Sequence, residues 1–529
     1  TENNLIFCYE GEYKKVQMID GVKDRPKAGR LILFALQQLL AILAATIAVP
    51  MVINSNFPDA HMSPSAALFG AGVGTLVYLL FTKFKSPVFL GSSFAFLGSM
   101  LAAFGGGVSA SLGYLGIIIG AVFAGIVYVI IAVIVKFAGV KWINKIMPAV
   151  VIGPTVAIIG LSLAGNAVGD LMKGNVFEQL TEWAIKIDEN GAMVFENGQP
   201  VVEQITVNGM LCSPYIALLC GLTTLAVTIV CSVYGKKFIK MIPFVMGILA
   251  GYGLAAIFTG FSYLPGAECL RVIDFEKFLN MQWYPDFAFL QPILKPELDA
   301  GSAGSIGAYI GTIAVAYIPV SFVVFAEHIA DHKNISSIIE TDLLSDPGLS
   351  RTLLGDGVGS MVGAVFGGCP NTTYGESVGC VAISGNASVI TILVTAIMAI
   401  VSAFIAPFVT FLSTIPSCVM GGVCIALYGF IAVSGLKMVQ NVDLNENKNL
   451  FVVSVILIAG VGGMTLDFGP VIVTEVACAL ILGVLTNLLV NIGGKKGGDG
   501  EKQLTIDDAA EITREENKDA KEGKDDGKV

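Results

Sequence analysis

Charged side chains make up only 14% of these 529 residues, against 54% hydrophobic, and the mean hydropathy is +0.77. That balance excludes a water-soluble globular domain, where roughly a quarter of residues carry charge. The net charge of −10 leaves no basic surface for a nucleic acid, so no nucleic-acid partner is expected. Histidine and tryptophan number only 3 each. The 10 cysteines form no CxxC and no His/Cys cluster, so no metal site is expected. No cofactor fingerprint or nucleophile-base spacing occurs in the polar stretches, which argues against an enzyme and against any cofactor. Most cysteines lie in apolar runs; Cys212 and Cys269, in or beside polar connections, are left as a candidate disulfide.

What the chain has instead is length of apolar sequence. Runs able to cross a bilayer, about 20 residues each, recur at 31–53, 66–82, 88–105, 113–135, 146–169, 214–234, 241–261, 303–331, 352–368, 389–412, 416–436, 449–466 and 470–492. With the broken segment 374–386 they make about fourteen passes, the pattern of an all-α polytopic membrane protein. Lysine placement orients them. Lys83 and Lys85, then Lys136, Lys141 and Lys145, then Lys236, Lys237 and Lys240, then Lys333 and Arg351, then Lys437 and Lys448 follow alternate spans, whereas the intervening loops Asn54–Ser63 and Gly105–Ser111 hold no Lys or Arg. Positive loops stay cytoplasmic, so both termini are expected inside, in the cell membrane. The connections Asp170–Ser213 and Thr259–Ser302 are then outward and long enough to escape the charge rule. Thr1–Arg30 is polar and the first apolar run reads as a full span rather than a cleaved leader. The polar segment 493–529 is expected to be a disordered cytoplasmic tail.

An acid stands inside one of these runs. Gly304–Ala330 reads GSIGAYIGTIAVAYIPVSFVVFAEHIA, with Glu327 near its end and Asp331 one helical turn further on. A carboxyl group in a membrane span costs several kcal/mol unless it faces a cavity, so it marks a functional site by default. His328 and His332 flank that face and read as structural. Two further runs are broken: FLGSSFAFLGS at Phe89–Ser99, and GGCPNTTYGESVG at Gly367–Gly379, where Pro370 and Gly375 stop the helix and Thr372, Thr373 and Tyr374 favour extended backbone. Each break lies two helices into its half of the chain, the arrangement of inverted repeats whose discontinuous helices meet at a mid-membrane ligand site. A flat heterocycle could pair with the short extended pieces.

The stretches FAEHIADHKNISSIIETDLLSDPGLSRTLLGDG and PNTTYGESVG, with DGVKDRPKAGRLILFALQQLLAILAATIAVP near the start and GSSFAF in the third run, resemble the uracil permease branch of the nucleobase/ascorbate transporter (nucleobase:cation symporter) family. The resemblance implies two inverted 7-helix repeats, a core and a gate domain. The first repeat would cover 31–262 after an N-terminal segment 1–30, with the outward loop 170–213; a second outward loop 263–302 precedes the second repeat at 303–492. It also implies that Glu327 binds substrate and couples the cation, that Glu376 is the acid of the tenth-span motif, that Tyr374 and Gly375 form its backbone platform, and that the main chain of Phe94 faces the base. The chain departs from the branch at three places. Gln37 and Gln38 stand for a Gln-His pair, Asp331 for a histidine as in the xanthine and urate branch, and Ser377 and Ser384 for Asn and Thr.

Uracil offers two N–H donors and two carbonyl acceptors, and two carboxylates plus backbone N–H groups would satisfy every edge. Glu376, acceptor-only when ionised, favours a pyrimidine over a purine. The expected function is secondary active import of uracil by proton symport, the proton carried by the group centred on Glu327 and modulated by Asp331. Xanthine, urate or another purine is the alternative substrate. Sodium is the alternative ion, because Asp331 adds a hard oxygen ligand, though no second group of carboxylates or hydroxyls is apparent beside it. An anion exchanger is opposed by the two acids, and a channel by polar residues gathered at two breaks rather than along a pore. The lipid bilayer surrounds the protein, and a homodimer is left open.

Overall fold

The computed structural model describes residues 18–139, 148–185, 195–196, 199–200, 202–236, 238–440, 442–467 and 472–492; the expected tail and Lys141, Lys145 and Lys237 lie outside these. Long apolar runs with few helix breakers become helices, and polar caps start several of them. Ser63, Ser109 and Ser305 accept from the N–H three residues on at the head of α2 (Pro64–Phe81), α4 (Ala110–Ala138) and α9 (Ile306–Ile339). The other helices longer than one turn are α1 (Ala28–Asn56), α3 (Leu97–Phe104), α5 (Ala149–Ser162), α6 (Ala164–Asp170), α7 (Pro214–Tyr234), α8 (Pro243–Phe261), α10 (Leu349–Gly367), α11 (Gly375–Ser384), α12 (Val389–Ser402), α13 (Ala406–Thr414), α14 (Ser417–Val439), α15 (Asn447–Val461) and α16 (Glu475–Val490). Eight of the described spans, with α5 and α6 taken together, are long and apolar enough to cross a membrane, nine if the α12–α13 pair is one span. The expected count of fourteen is reached only if the α12–α13 pair, α3, α10, α11 and the short apolar helices α15 and α16 are each counted as a pass.

The packing has an internal two-fold pattern. α2 packs on α10; α10 packs on α4 as α2 packs on α12; α9 packs on α4 as α1 packs on α12. α5 packs on α14, α7 on α14 as α15 on α5, and α7 on α8 as α15 on α16. Exchanging α1–α4 with α9–α12, and α5, α7 and α8 with α14, α15 and α16, maps this set onto itself, as two repeats require. The first group forms a core and the second a gate; they touch through α1 against α8 and α14, and through α9 against α16 and α5.

At the centre of the core, β1 (Leu90–Ser92) pairs antiparallel with β4 (Asn371–Thr373), Gly91 opposite Thr372. Ser93 N donates to Pro370 O (2.9 Å) and Tyr374 N to Phe89 O (3.2 Å), extending the pairing at both ends. The broken segments thus satisfy one another's backbone, so protein rather than ligand pairs with the extended pieces. The half-helices α3 and α11 begin directly after the two strands, and Leu97 N at the head of α3 donates to Phe94 O (3.0 Å).

Two further differences from the sequence reading have local causes. The run 389–412 is not one straight helix: α12 and α13 meet at 82°, broken at Ala403–Ile405, with a proline in the first turn of α13. The first long connection holds a hairpin, β2 (Phe177–Ile185) against β3 (Val202–Met210), where Ile205, Thr206 and Val207 favour extended chain. Cys212 and Cys269 are free thiols; Ser213 N donates to Cys269 O (2.8 Å), so the two loops are joined there through backbone.

Glycine sets how closely α2 and α10 approach. A Cβ at Gly70 would lie 2.7 Å from the carbonyl oxygen of Gly363, and one at Gly363 would strike the side-chain amide of Asn371, which donates to Gly70 O at 3.0 Å. Gly363→Ala should therefore destabilise by about 1–3 kcal/mol, read as a lower melting temperature in detergent, whereas Gly379→Ala, with nothing within 4 Å, should melt as the parent does.

Candidate functional site

The β1–β4 pairing brings the two halves of the site together. Its tightest point is Gly91, whose missing Cβ leaves room for the ring of Tyr374. The hydroxyl of Tyr374 donates to Ser92 O (2.8 Å), so this buried side chain braces β1 against β4. Tyr374 therefore acts at the site through its backbone and its packing, with its polar tip already used.

α11 starts at Gly375, with Glu376 in its first turn, where the helix dipole suits a carboxylate. Gly375 is exposed and Glu376 only partly covered, although Thr373, Tyr374 and Ser377 on either side are buried. Across from them on α9, Glu327 is partly covered between buried Ala326 and His328. Protein surrounds both acids, so they open on an internal crevice and not on the periphery. Neither side chain takes a side-chain hydrogen-bond partner among the described residues. Asp331 closes one edge: its Oδ2 accepts from the Thr373 hydroxyl at 2.8 Å, and its Oδ1 lies 3.8 Å from where a Gly375 Cβ would stand. Glu327, Asp331 and Glu376 lie within electrostatic reach of one another.

The structure thus gathers Glu327, Asp331, Tyr374, Gly375 and Glu376. Phe94 sits at the turn between β1 and α3, 8% exposed, with its ring edge-on to Tyr428 of α14 at 5.7 Å between centroids. Tyr428 is the gate's contribution and was not singled out from sequence: a lone tyrosine in an apolar span carries no local signal of what it meets. Its buried hydroxyl has the Cys424 thiol, one turn back on α14, beside it. Asp356 of α10 was also passed over, though the criterion that picked out Glu327, an acid within a span, applies to it. Thr373, an extended-chain former by sequence, also places one hydroxyl against Asp331.

Two of the three departures from the family pattern meet in space. Gln38 Nε2 donates to the Ser377 hydroxyl at 2.5 Å, and the same oxygen accepts from Phe89 N at 3.1 Å, tying α1, β1 and α11 together. Gln37 is buried with Oε1 unpartnered among the described residues. His328 and His332 are buried behind α9, bonded to Asp356 and Tyr78 respectively.

Inverted repeats, half-helices abutting at a buried crevice, and acids that open on it define a polytopic membrane carrier. The chain belongs to the permease family, which it matches over residues 29–187 and 199–469. It is similar to the uracil permease of Bacillus caldolyticus, 36% identical over 89% of this chain and 94% of that one, and to that of Bacillus subtilis (strain 168), 34% identical over 93% and 99%. The uracil permease of Escherichia coli (strain K12) is 31% identical over 89% and 94%. Among solved structures, the transmembrane domain of the cyanobacterium bicarbonate transporter BicA matches with a TM-score of 0.54 at 14% identity, over 88% of this chain and 99% of that one. SLC26A9 matches with a TM-score of 0.53 at 12% identity, over 88% and 66%. These two likenesses concern the fold alone.

Ser377→Ala would leave two buried donors, Gln38 Nε2 and Phe89 N, without an acceptor. The expected loss is about 1–3 kcal/mol per orphaned group, measured as a lower thermal midpoint that Ser377→Thr, which retains a hydroxyl, partly restores.

Proposed function

We propose that this protein imports uracil across the cell membrane as a proton symporter, with Glu327 and Glu376 accepting the two N–H groups of the base and backbone N–H groups at Gly375 and Phe94 donating to its carbonyls. The observation that carries this reading is the pair of acids, without side-chain partners among the described residues, opening on one crevice where half-helices from both repeats begin. Two acceptors facing inward suit a ligand with two N–H donors and oppose an anion. The relatives named as uracil permeases agree with that choice. The repeats bounded at 31–262 and 303–492, with loops 170–213 and 263–302 outward and both termini cytoplasmic, complete the arrangement.

The proton belongs to the acidic group centred on Glu327, with Asp331 modulating it. Carboxyl groups within reach of one another in an enclosed, poorly solvated site resist joint ionisation, so the empty site favours holding a proton that accompanies the neutral base. Sodium remains a second reading on one observation, the Thr373 hydroxyl beside Asp331, two hard oxygens together. Against it, Thr373 donates to Asp331 and so already satisfies that oxygen. Xanthine or urate is the alternative substrate; Glu376, where an amide would suit a purine's mixed edge, weighs against it.

Glu327→Gln removes charge at constant size, and uracil binding to the purified protein should weaken by about 1.5–3 kcal/mol, roughly 10- to 150-fold. Unchanged affinity would remove Glu327 from the site. Glu376→Gln should lower uracil affinity and narrow its advantage over xanthine in competition; an identical competition profile counts against the pyrimidine assignment. In proteoliposomes, uracil uptake should follow an imposed proton gradient and make the external medium more alkaline. Uptake that tracks sodium at clamped pH would transfer the coupling role to that ion.

A further inference from the structure

Behind α9, away from the residues assigned to the base, lies a second polar group. Asp356 is fully buried, with Oδ2 2.7 Å from Nδ1 of His328, and Nε2 of His328 is 3.0 Å from the Thr352 hydroxyl. The His328 ring stacks on His332 at 4.0 Å between centroids. His332 is fully accounted for. Its Nδ1 donates to His328 O (2.8 Å), which fixes the tautomer and leaves Nε2 as an acceptor 2.7 Å from the Tyr78 hydroxyl, itself 2.7 Å from that of Ser86.

Asp356 is not. Its Oδ1 has no hydrogen-bond partner among the described residues, and neither do two hydroxyls near it: Ser360, one turn along α10, and Tyr128, on α4 against which α10 packs. Tyr128 is within electrostatic reach of both Asp356 and Glu327, and Asp356 in turn reaches Glu327, Asp331 and Tyr78. The titratable groups facing Asp356 are thus Glu327, His328, Asp331 and His332 from α9, Tyr78 from α2 and Tyr128 from α4, none of them a fixed cation. A carboxylate in that setting with one bare oxygen is costly, and a proton relieves it.

We propose that Asp356 and His328 form a second proton-holding dyad of the coupling machinery, exchanging the proton with Glu327. The inference rests on the proton-symport reading above. When the proton passes from Glu327 to Asp356, Glu327 becomes the carboxylate that can accept an N–H of the base, and Asp356 becomes a neutral acid. The net charge of the interior is unchanged by that step, and the reverse transfer restores the starting state. Asp356 therefore acts on coupling and not on the base.

The test compares Asp356→Asn and His328→Gln with the unmodified protein in proteoliposomes. Asp356→Asn should bind uracil, and exchange labelled for unlabelled uracil, within about threefold of the parent, yet accumulate about tenfold less under an imposed proton gradient. His328→Gln, whose amide can still donate to Asp356, should shift the pH of half-maximal accumulation and leave exchange unaltered. Asp356→Asn that accumulates like the parent overturns the dyad, as does a loss of binding, exchange and accumulation in equal proportion, the mark of a purely structural role. If Asp356→Asn cannot be purified folded, an unaltered pH profile for His328→Gln overturns it alone. An unmodified protein that shows no proton-driven accumulation overturns the symport reading itself; proton coupling preserved in both variants overturns only the dyad.

Discussion

The antiparallel contact of β1 with β4 is the constraint on which the rest of the molecule depends. A helix broken at membrane depth exposes backbone groups that lipid cannot satisfy. Here each broken segment supplies the partner for the other, three residues against three, with one more bond beyond each end. That exchange allows α3 and α11 to begin in the interior, so two helix N-termini face the same region. The brace from Tyr374 to Ser92, the gap at Gly91 and the bond from Gln38 to Ser377 all secure this crossing. Close glycine packing of α2 on α10 holds it from behind.

The acids are arranged around that crossing according to how each is satisfied. Asp331 is held by Thr373 and Asp356 by His328, whereas Glu327 and Glu376 are turned to the crevice without side-chain partners among the described residues. Burying four such groups near one another is expensive, and structural duty alone does not explain it. The division between held and unheld carboxyls separates groups that can tune the site from groups free to meet a ligand.

Much of this was legible in the chain because membrane burial leaves coarse marks. Apolar length located the spans, and an acid in such a run located Glu327. The breaks at GSSFAF and PNTTYGESVG announced themselves through proline, glycine and β-branched residues. What was not legible depended on tertiary partners. The mutual pairing of β1 and β4 joins residues some 280 positions apart, as the register Leu90 to Thr373 shows, and nothing local to either segment names the other. The same holds for Tyr428 against Phe94 and for Gln38 against Ser377. The bend between α12 and α13 was hidden because an apolar stretch long enough to span is also long enough to fold back. The hairpin in the first long connection leaves no mark in the length and charge by which that segment is placed outside.

The packing of the two repeats is interchangeable, but their chemistry is not. Glu327, Asp331, Asp356 and Glu376 all come from the second repeat, while the first brings Gln37, Gln38 and Phe94 to the same centre. A scaffold that is nearly even-handed therefore carries a charge distribution with a front and a back. Two shapes that geometry alone would make equivalent become distinguishable by where the second repeat carries its acids, and the molecule has a direction built into its interior before any gradient acts on it.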